Sequence, residues 1–279
     1  MTPAQKASRL LELHHGKDPL VLVNAWDAAS ACIVEHAGFP AVATSSAGLA
    51  NALGYADGQH LPWEEMLAAV RRIAVAVQVP VSADIEAGFS ASAQELEKSI
   101  GQIMEAGAVG INLEDALPGH HDRGPLYPLA EQVSRIQAVR RTADRQNVHL
   151  VINARVDAYW QTGVEPERAM SNTLERGRAY LQAGADCIFV PGLKASQQIR
   201  AVVDHLKSPV NILAVAETPS IPELAQLGVK RVSFGSGPMR AAMGYLRRIA
   251  QEAKTTGTYT AMLGSAMPYP EMNALLRKK

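Results

Sequence analysis

The sequence predicts an α/β fold, a closed (β/α)8 TIM-type barrel, on three observations. Short apolar runs alternate with helix-length amphipathic segments eight times within 279 residues. One turn recurs ahead of strands: EHAGFPAV (35–42), MEAGAVGI (104–111), LQAGADCI (181–188) and, more loosely, AQLGVKRV (225–232). Its glycine suits a helix C-terminus, and the small residues after it allow tight re-entry into the sheet. Finally, polar residues gather where the apolar runs end, the face on which barrels carry their chemistry. An open doubly wound sheet is the alternative. It is disfavoured because no GxGxxG follows the first strand, and no GxxxxGK[ST] occurs. One barrel domain over residues 1–279 is expected.

Each element has its own signal. Residues 4–15 read as an amphipathic helix anchored by Leu10, Leu11 and Leu13. Strand one is Leu20 to Asn24, with a helix from Ala28 to His36. Strand two is Ala41 to Thr44, then a loop rich in Gly and Ala runs to Gly58 and a helix from Leu61 to Val77. Pro80 opens strand three, PVSADIEAGFS. Ser92, with Glu95 three residues on, starts a helix over Ala93 to Ala106. Strand four is Val109 to Leu113, followed by a polar loop to Tyr127 and a helix over Leu129 to Ala143. Strand five is Leu150 to Ala154, with a helix from Pro166 to Ala183. Strand six is Asp186 to Val190, with a helix from Ala195 to Leu206. Strand seven is Val210 to Val215, with a short helix over Ile221 to Leu227. Strand eight is Val229 to Phe234, with a helix over Met239 to Ala253. The tail reads as one further short helix striped by Met272, Leu275 and Leu276.

Composition narrows the function classes. Hydrophobic residues make up 47%, enough for a large core, and 27 basic residues balance 27 acidic ones. Without a basic run, nucleic acid and acidic membrane surfaces are not expected partners. Cys32 and Cys187 sit in apolar contexts and read as buried thiols rather than a disulfide. No stretch reaches the ~18 apolar residues of a membrane span, and the first residues lack a long apolar core, so a soluble cytoplasmic protein is expected.

The chemistry concentrates on acids. Asp84 and Glu86, at i and i+2, share a strand face, and GINLEDA (110–116) is a second apolar run ending in acids. If these strands are neighbours, Asp84, Glu86 and Glu114 converge at one sheet end. That is an all-oxygen set suited to a hard divalent cation, Mg²⁺ with Mn²⁺ as the alternative. Capping or salt-bridging acids are the plainer reading. Arg155 reads either as a bidentate clamp on a substrate carboxylate or as a partner for Asp157. Trp26, Asn112 and Glu217, at other strand ends, are expected to line the substrate site. His120 and His121 read as solvated loop residues or as a lid.

The set NAWDAASA, TSSAGLANALGYAD, SADIEAGFS, GINLEDA, INARVDAY and LQAGAD resembles the isocitrate lyase and phosphoenolpyruvate mutase superfamily over about residues 8–250. The resemblance implies a barrel whose C-terminal helical region, residues 237–279, swaps onto a partner within a dimer-of-dimers homotetramer. It also implies Mg²⁺ and a small oxo- or hydroxy-acid substrate. By motif, Asp84 matches the acid most directly associated with the metal, with Glu86 and Glu114 as further metal-shell acids. Asp57 matches the acid of a mobile loop, Ser45 and Ser46 the carboxylate-binding segment, and Arg155 the arginine that steadies developing negative charge. The segment EDALPGHHDRG has neither the cysteine of the citrate-cleaving members' KxCGH motif nor the lysine of the phosphonate enzymes. His120 and His121 are then the candidate proton donors. A carbon–carbon lyase or decarboxylase working through a pyruvate enolate is the implied activity. Phosphonopyruvate hydrolase or mutase chemistry and an inactive metal-dependent binding or scaffold protein are the alternatives.

Overall fold

The computed structural model describes residues 1–119 and 124–277, so His120 and His121 lie outside the described residues. A capping box starts helix α1 (Pro3–His14): Gln5 N–H donates to Thr2 Oγ1, and Thr2 N–H donates to the Gln5 side chain. Leu10 is fully buried, while Leu11 and Leu13 are partly buried against its cluster. Strands β1 (Leu20–Leu22) and β2 (Asn24–Ala25) follow, then α2 (Ala28–His36), capped by Asp27. Next come β3 (Val42–Thr44), α3 (Ser46–Ala52), α4 (Trp63–Ala76) and β4 (Val81–Asp84). Helix α5 (Ala93–Glu105) has the predicted Ser92 cap, with Glu95 N–H on Ser92 Oγ. The alternation continues with β5 (Gly110–Glu114), α6 (Leu129–Arg145), β6 (Val151–Arg155), a 3₁₀ turn (Ala158–Trp160), α7 (Pro166–Gln182), β7 (Cys187–Phe189) and α8 (Ser196–Leu206). It ends with β8 (Val210–Leu213), α9 (Ile221–Gln226), β9 (Arg231–Ser233), α10 (Gly237–Thr255), α11 (Thr260–Ser265) and α12 (Tyr269–Leu276).

All strand pairs are parallel, in the order β1-β9-β8-β7-β6-β5-β4-β3-β2. β1 and β2 are one strand interrupted at Val23. Its first half pairs with β9 and its second with β3, so a single stretch of chain brings the two ends of the sheet together as a near-closed barrel. The expected first strand, Leu20 to Asn24, is corrected accordingly: it serves two neighbours and cannot stay regular between them.

The glycines of the recurring turn all have left-handed φ: Gly38 +89°, Gly107 +102°, Gly184 +108° and Gly228 +85°. Gly110 is needed for a different reason. A Cβ there would lie 2.6 Å from Leu10 Cδ2, so its absence lets α1 seal the N-terminal end of the barrel.

Two further expectations are corrected. The Gly/Ala-rich loop contains α3, capped by Ser45 Oγ accepting from Gly48 N–H; its small residues carry no amphipathic period to announce it. The tail forms two helices, α11 and α12, the second packed beside α2 of the same chain, and Met272 and Leu275 are only half-buried. Cys32 and Cys187 are buried thiols. No helix among the described residues is long and apolar enough to cross a membrane.

Candidate active site

The acids meet because β4, β5 and β6 are consecutive in the sheet. Asp84 is level with Asn112 on β5, and Glu114 is level with Arg155 on β6. Ser46 donates its backbone N–H (3.0 Å) and its hydroxyl (2.8 Å) to Asp84 Oδ2. Asp84 Oδ1 is buried and accepts no hydrogen bond among the described residues. An ionised oxygen in that state is costly unless a cation or donor meets it.

Glu86 follows Asp84 in a left-handed conformation, φ +51°, which a branch-free glycine would adopt more cheaply. Its Oε2 accepts from Gln59 N–H at 2.7 Å, and Gln59 Oε1 accepts from Phe89 N–H at 2.8 Å. Gln59 and Phe89 are themselves left-handed, at +57° and +50°. Three strained residues therefore tie the loop carrying Asp57 down onto the segment after β4.

Arg155 sits between two acids. Its Nη1 lies 2.6 Å from Glu114 Oε2, and its Nε donates to Asp157 Oδ1 at 2.6 Å. The guanidinium stacks over Trp160, with its central carbon 4.5 Å from the ring centre. Burial alone would lower the Arg155 pKa, but the Asp157 and Glu114 carboxylates outweigh it and hold the group protonated. Asp115, beside Glu114, points away, behind the strand. It accepts from Asp157 N–H (2.9 Å), the Tyr180 hydroxyl (2.7 Å) and Arg176 Nη1 (3.2 Å). Burial, then the Asp157 charge, pushes Asp115 up to about 6. This network steadies the backbone that presents Asp157 to Arg155.

Asp57, Ser45, Ser46, Asp84, Glu86 and Asn112 line one cavity of about 100 Å³, together with Glu114 and Arg155. It is far below the ~300–1,000 Å³ of drug-sized pockets, which suits a ligand of a few heavy atoms. Trp26 and Glu217 are not among the lining residues. Glu217 is exposed, in a turn at φ +71°, and pairs with Lys194 at 2.9 Å. Trp26 lies on the side of β2 that meets α3, its Cβ close against Gly48. The tryptophan at the cavity is Trp160 instead, joined by Phe189 and Ser233. Trp160 could have been read from its place in RVDAYW, five residues past Arg155; Phe189 sits in an ordinary apolar strand run and gave no signal. Among the described residues, no three His, Cys, Asp or Glu side chains form a ready set of direct metal ligands. A broader open concavity of about 700 Å³ lies on α12, and no acid among the described residues lines it.

The chain is similar over most of its length to known proteins. The chain is 33% identical over 265 residues to an uncharacterised protein of Mycobacterium tuberculosis H37Rv, covering 95% of each. It is 31% identical over 248 residues to a 2-methylisocitrate lyase of Shewanella oneidensis, covering 86% of this chain and 82% of that one. A crystal structure from Burkholderia cenocepacia J2315, assigned provisionally as a phosphonomutase, superposes with a TM-score of 0.84 at 40% identity. It spans 88% of this chain and 99% of the other. The family model for phosphoenolpyruvate phosphomutase matches residues 10–254. With that match over most of its length, and lyases and mutases among its homologues, the chain belongs to the phosphoenolpyruvate phosphomutase family and is an enzyme of the superfamily it shares with isocitrate lyase.

Proposed function

We propose that the protein is a Mg²⁺-dependent lyase that breaks a carbon–carbon bond, or removes CO₂, from a small 2-oxo or 2-hydroxy dicarboxylic or tricarboxylic acid through a pyruvate enolate. The observation that carries this reading is the buried Asp84 Oδ1, without a hydrogen-bond donor among the described residues, in a small cavity it shares with three further acids and one arginine. The donor set fits Mg²⁺: oxygen only, with one carboxylate oxygen already held by Ser46 and the other left over. Mg²⁺ keeps several waters, so Asp84 would be the direct ligand and Glu86 and Glu114 would hold it through water. When bound, the ion supplies Lewis-acid stabilisation of negative charge on the substrate's 2-oxygen.

The chain's own groups do the rest. The salt bridges of Arg155 use Nε and Nη1, which leaves Nη2 as the edge that meets a substrate carboxylate or oxyanion. Ser45 and the first-turn N–H of Ala47 offer donors to a second carboxylate. Asp57, on the loop tied down by Gln59, handles a proton or a water at the substrate's C3 side, and the closed loop excludes bulk water. His120 and His121 remain the candidate proton donors.

A homotetramer built by exchange of the C-terminal helices is part of the same proposal. Its support is that α10 buries only Met239, while Met243, Leu246, Leu263 and Tyr269 stand exposed. Sedimentation velocity tests it; a monomer at micromolar concentration would end it. For the reaction, the protein is incubated with Mg²⁺ and oxaloacetate, 2-methylisocitrate, isocitrate, malate-type diacids and phosphonopyruvate, reading pyruvate, glyoxylate and phosphate together. Pyruvate without phosphate, lost in Asp84→Ala, supports the lyase reading. Phosphate release assigns phosphorus–carbon chemistry instead.

A further inference from the structure

Arg231 opens the last barrel strand and is fully buried. Among the described residues no carboxylate lies within ion-pair distance of it. Its partners are Asn112 Oδ1 (from Nη2, 3.1 Å), Ser233 Oγ (from Nε, 3.4 Å) and His14 Nε2 (from Nη1, 3.5 Å). His14 fits this role. Its Nδ1 donates to Leu10 O at 2.7 Å, so in the neutral ring Nε2 is the acceptor that a guanidinium requires. Burial, with the charge of Arg231 beside it, lowers the His14 pKa to about 4 and keeps that ring neutral. A buried guanidinium without a carboxylate is a costly thing to keep in a barrel interior.

What Arg231 achieves there is chemical orientation. A guanidinium has donors only, so the Asn112 atom facing it must be the carbonyl oxygen. Asn153 Nδ2 donates to the same oxygen at 2.7 Å. That pair of amides could turn over together, with Asn112 Nδ2 donating to Asn153 Oδ1, at no loss of hydrogen bonds between them. Asn153 Oδ1 is in fact buried without a hydrogen-bond partner among the described residues and would gain one. Arg231 forbids the turned-over arrangement. It fixes Asn112 with its NH₂ group on the opposite edge, and Asn112 lines the cavity.

We propose that Arg231 is a positioning residue for the active site: by pinning the Asn112 carbonyl, it presents the Asn112 amide donor to a carboxylate oxygen of the substrate. This rests on the small-acid reading above. Without Arg231, Asn112 turns its carbonyl to the cavity and repels the anion it should hold.

The test is a double-mutant cycle on ligand binding. Oxalate, a planar dianion shaped like a pyruvate enolate, is titrated calorimetrically in saturating Mg²⁺ into the native protein, Arg231→Met, Asn112→Ala and the double variant, with folding checked by circular dichroism. Arg231→Met should weaken oxalate at least tenfold. In the Asn112→Ala background the same substitution should change affinity less than twofold, because a residue that acts through Asn112 has nothing left to act on. A general structural role would instead give losses that multiply. Native-like affinity in Arg231→Met, or multiplying losses, overturns the inference and leaves the proposed function standing. Failure of the native protein to bind oxalate overturns the small-acid reading and the inference with it. If Arg231→Met does not fold, Arg231→Lys takes its place in the cycle under the same criteria, with a loss of at least threefold expected.

Discussion

Ser46 gives both of its hydrogen-bond donors to one oxygen of Asp84, the backbone N–H at 3.0 Å and the hydroxyl at 2.8 Å. A carboxylate held on one side has only its other oxygen to offer. The serine thus acts on Asp84 in addition to lining the cavity. Ser46→Ala should keep the backbone bond and lose the hydroxyl, weakening Mg²⁺ about tenfold with little change in thermal stability. Calorimetric Mg²⁺ titration reads this directly; unchanged affinity would mean that Asp84 is aimed by the strand alone.

Arg155 pairs with Glu114 and Asp157 at once, and all three are buried. Arg155→Met should therefore abolish turnover and also destabilise the fold by about 3–5 kcal/mol, since it removes the cation paired with two buried carboxylates. Urea denaturation with and without saturating Mg²⁺ checks it. A native-like midpoint in the metal-free variant contradicts the ion-pair account.

His14 gives a pH signature. Its pKa falls from the ordinary 6.5 to about 4 in the folded protein, chiefly through burial. Between those values the unfolded chain binds the extra proton, so unfolding free energy rises with pH from about 4 to about 6.5 and is flat above. The contribution at neutral pH is at most about 3 kcal/mol. His14→Gln should flatten that limb of the urea midpoint against pH; an identical slope in the variant would assign the limb to other groups.

Gly110→Ala should destabilise by about 1–3 kcal/mol, because the new methyl group meets Leu10 and α1 must shift. Combining it with Leu10→Ala should cost less than the sum of the two single changes. Additive losses in chemical denaturation would place the clash elsewhere.

Much of this was legible because it is local. The AG turn before a strand repeats within a few residues of itself, and Asp84, Glu114 and Arg155 each stand at the end of their own apolar run. The polar floor was hidden for the opposite reason. Asn112 was read from its strand end, but His14 and Arg231, which meet beneath it, come from opposite ends of the chain and neither stands in a pattern that marks it. Arg176 and Tyr180, which steady Asp115, share a helix face, a spacing that by itself reads as packing. Trp26 and Glu217 were placed near the site by strand-end position alone, which does not say to which side a residue past the strand will turn.

The interrupted first strand also fixes an order of events during synthesis. Leu20–Leu22 has no parallel neighbour on its own side until Arg231–Ser233 exists, roughly 200 residues later. A nascent chain can build β2 to β8 as an open, curving sheet, but its lower seam stays wet until the ninth strand leaves the ribosome. The cation that will end up under the active site arrives on that last strand, so it loses its water only as the seam zips shut.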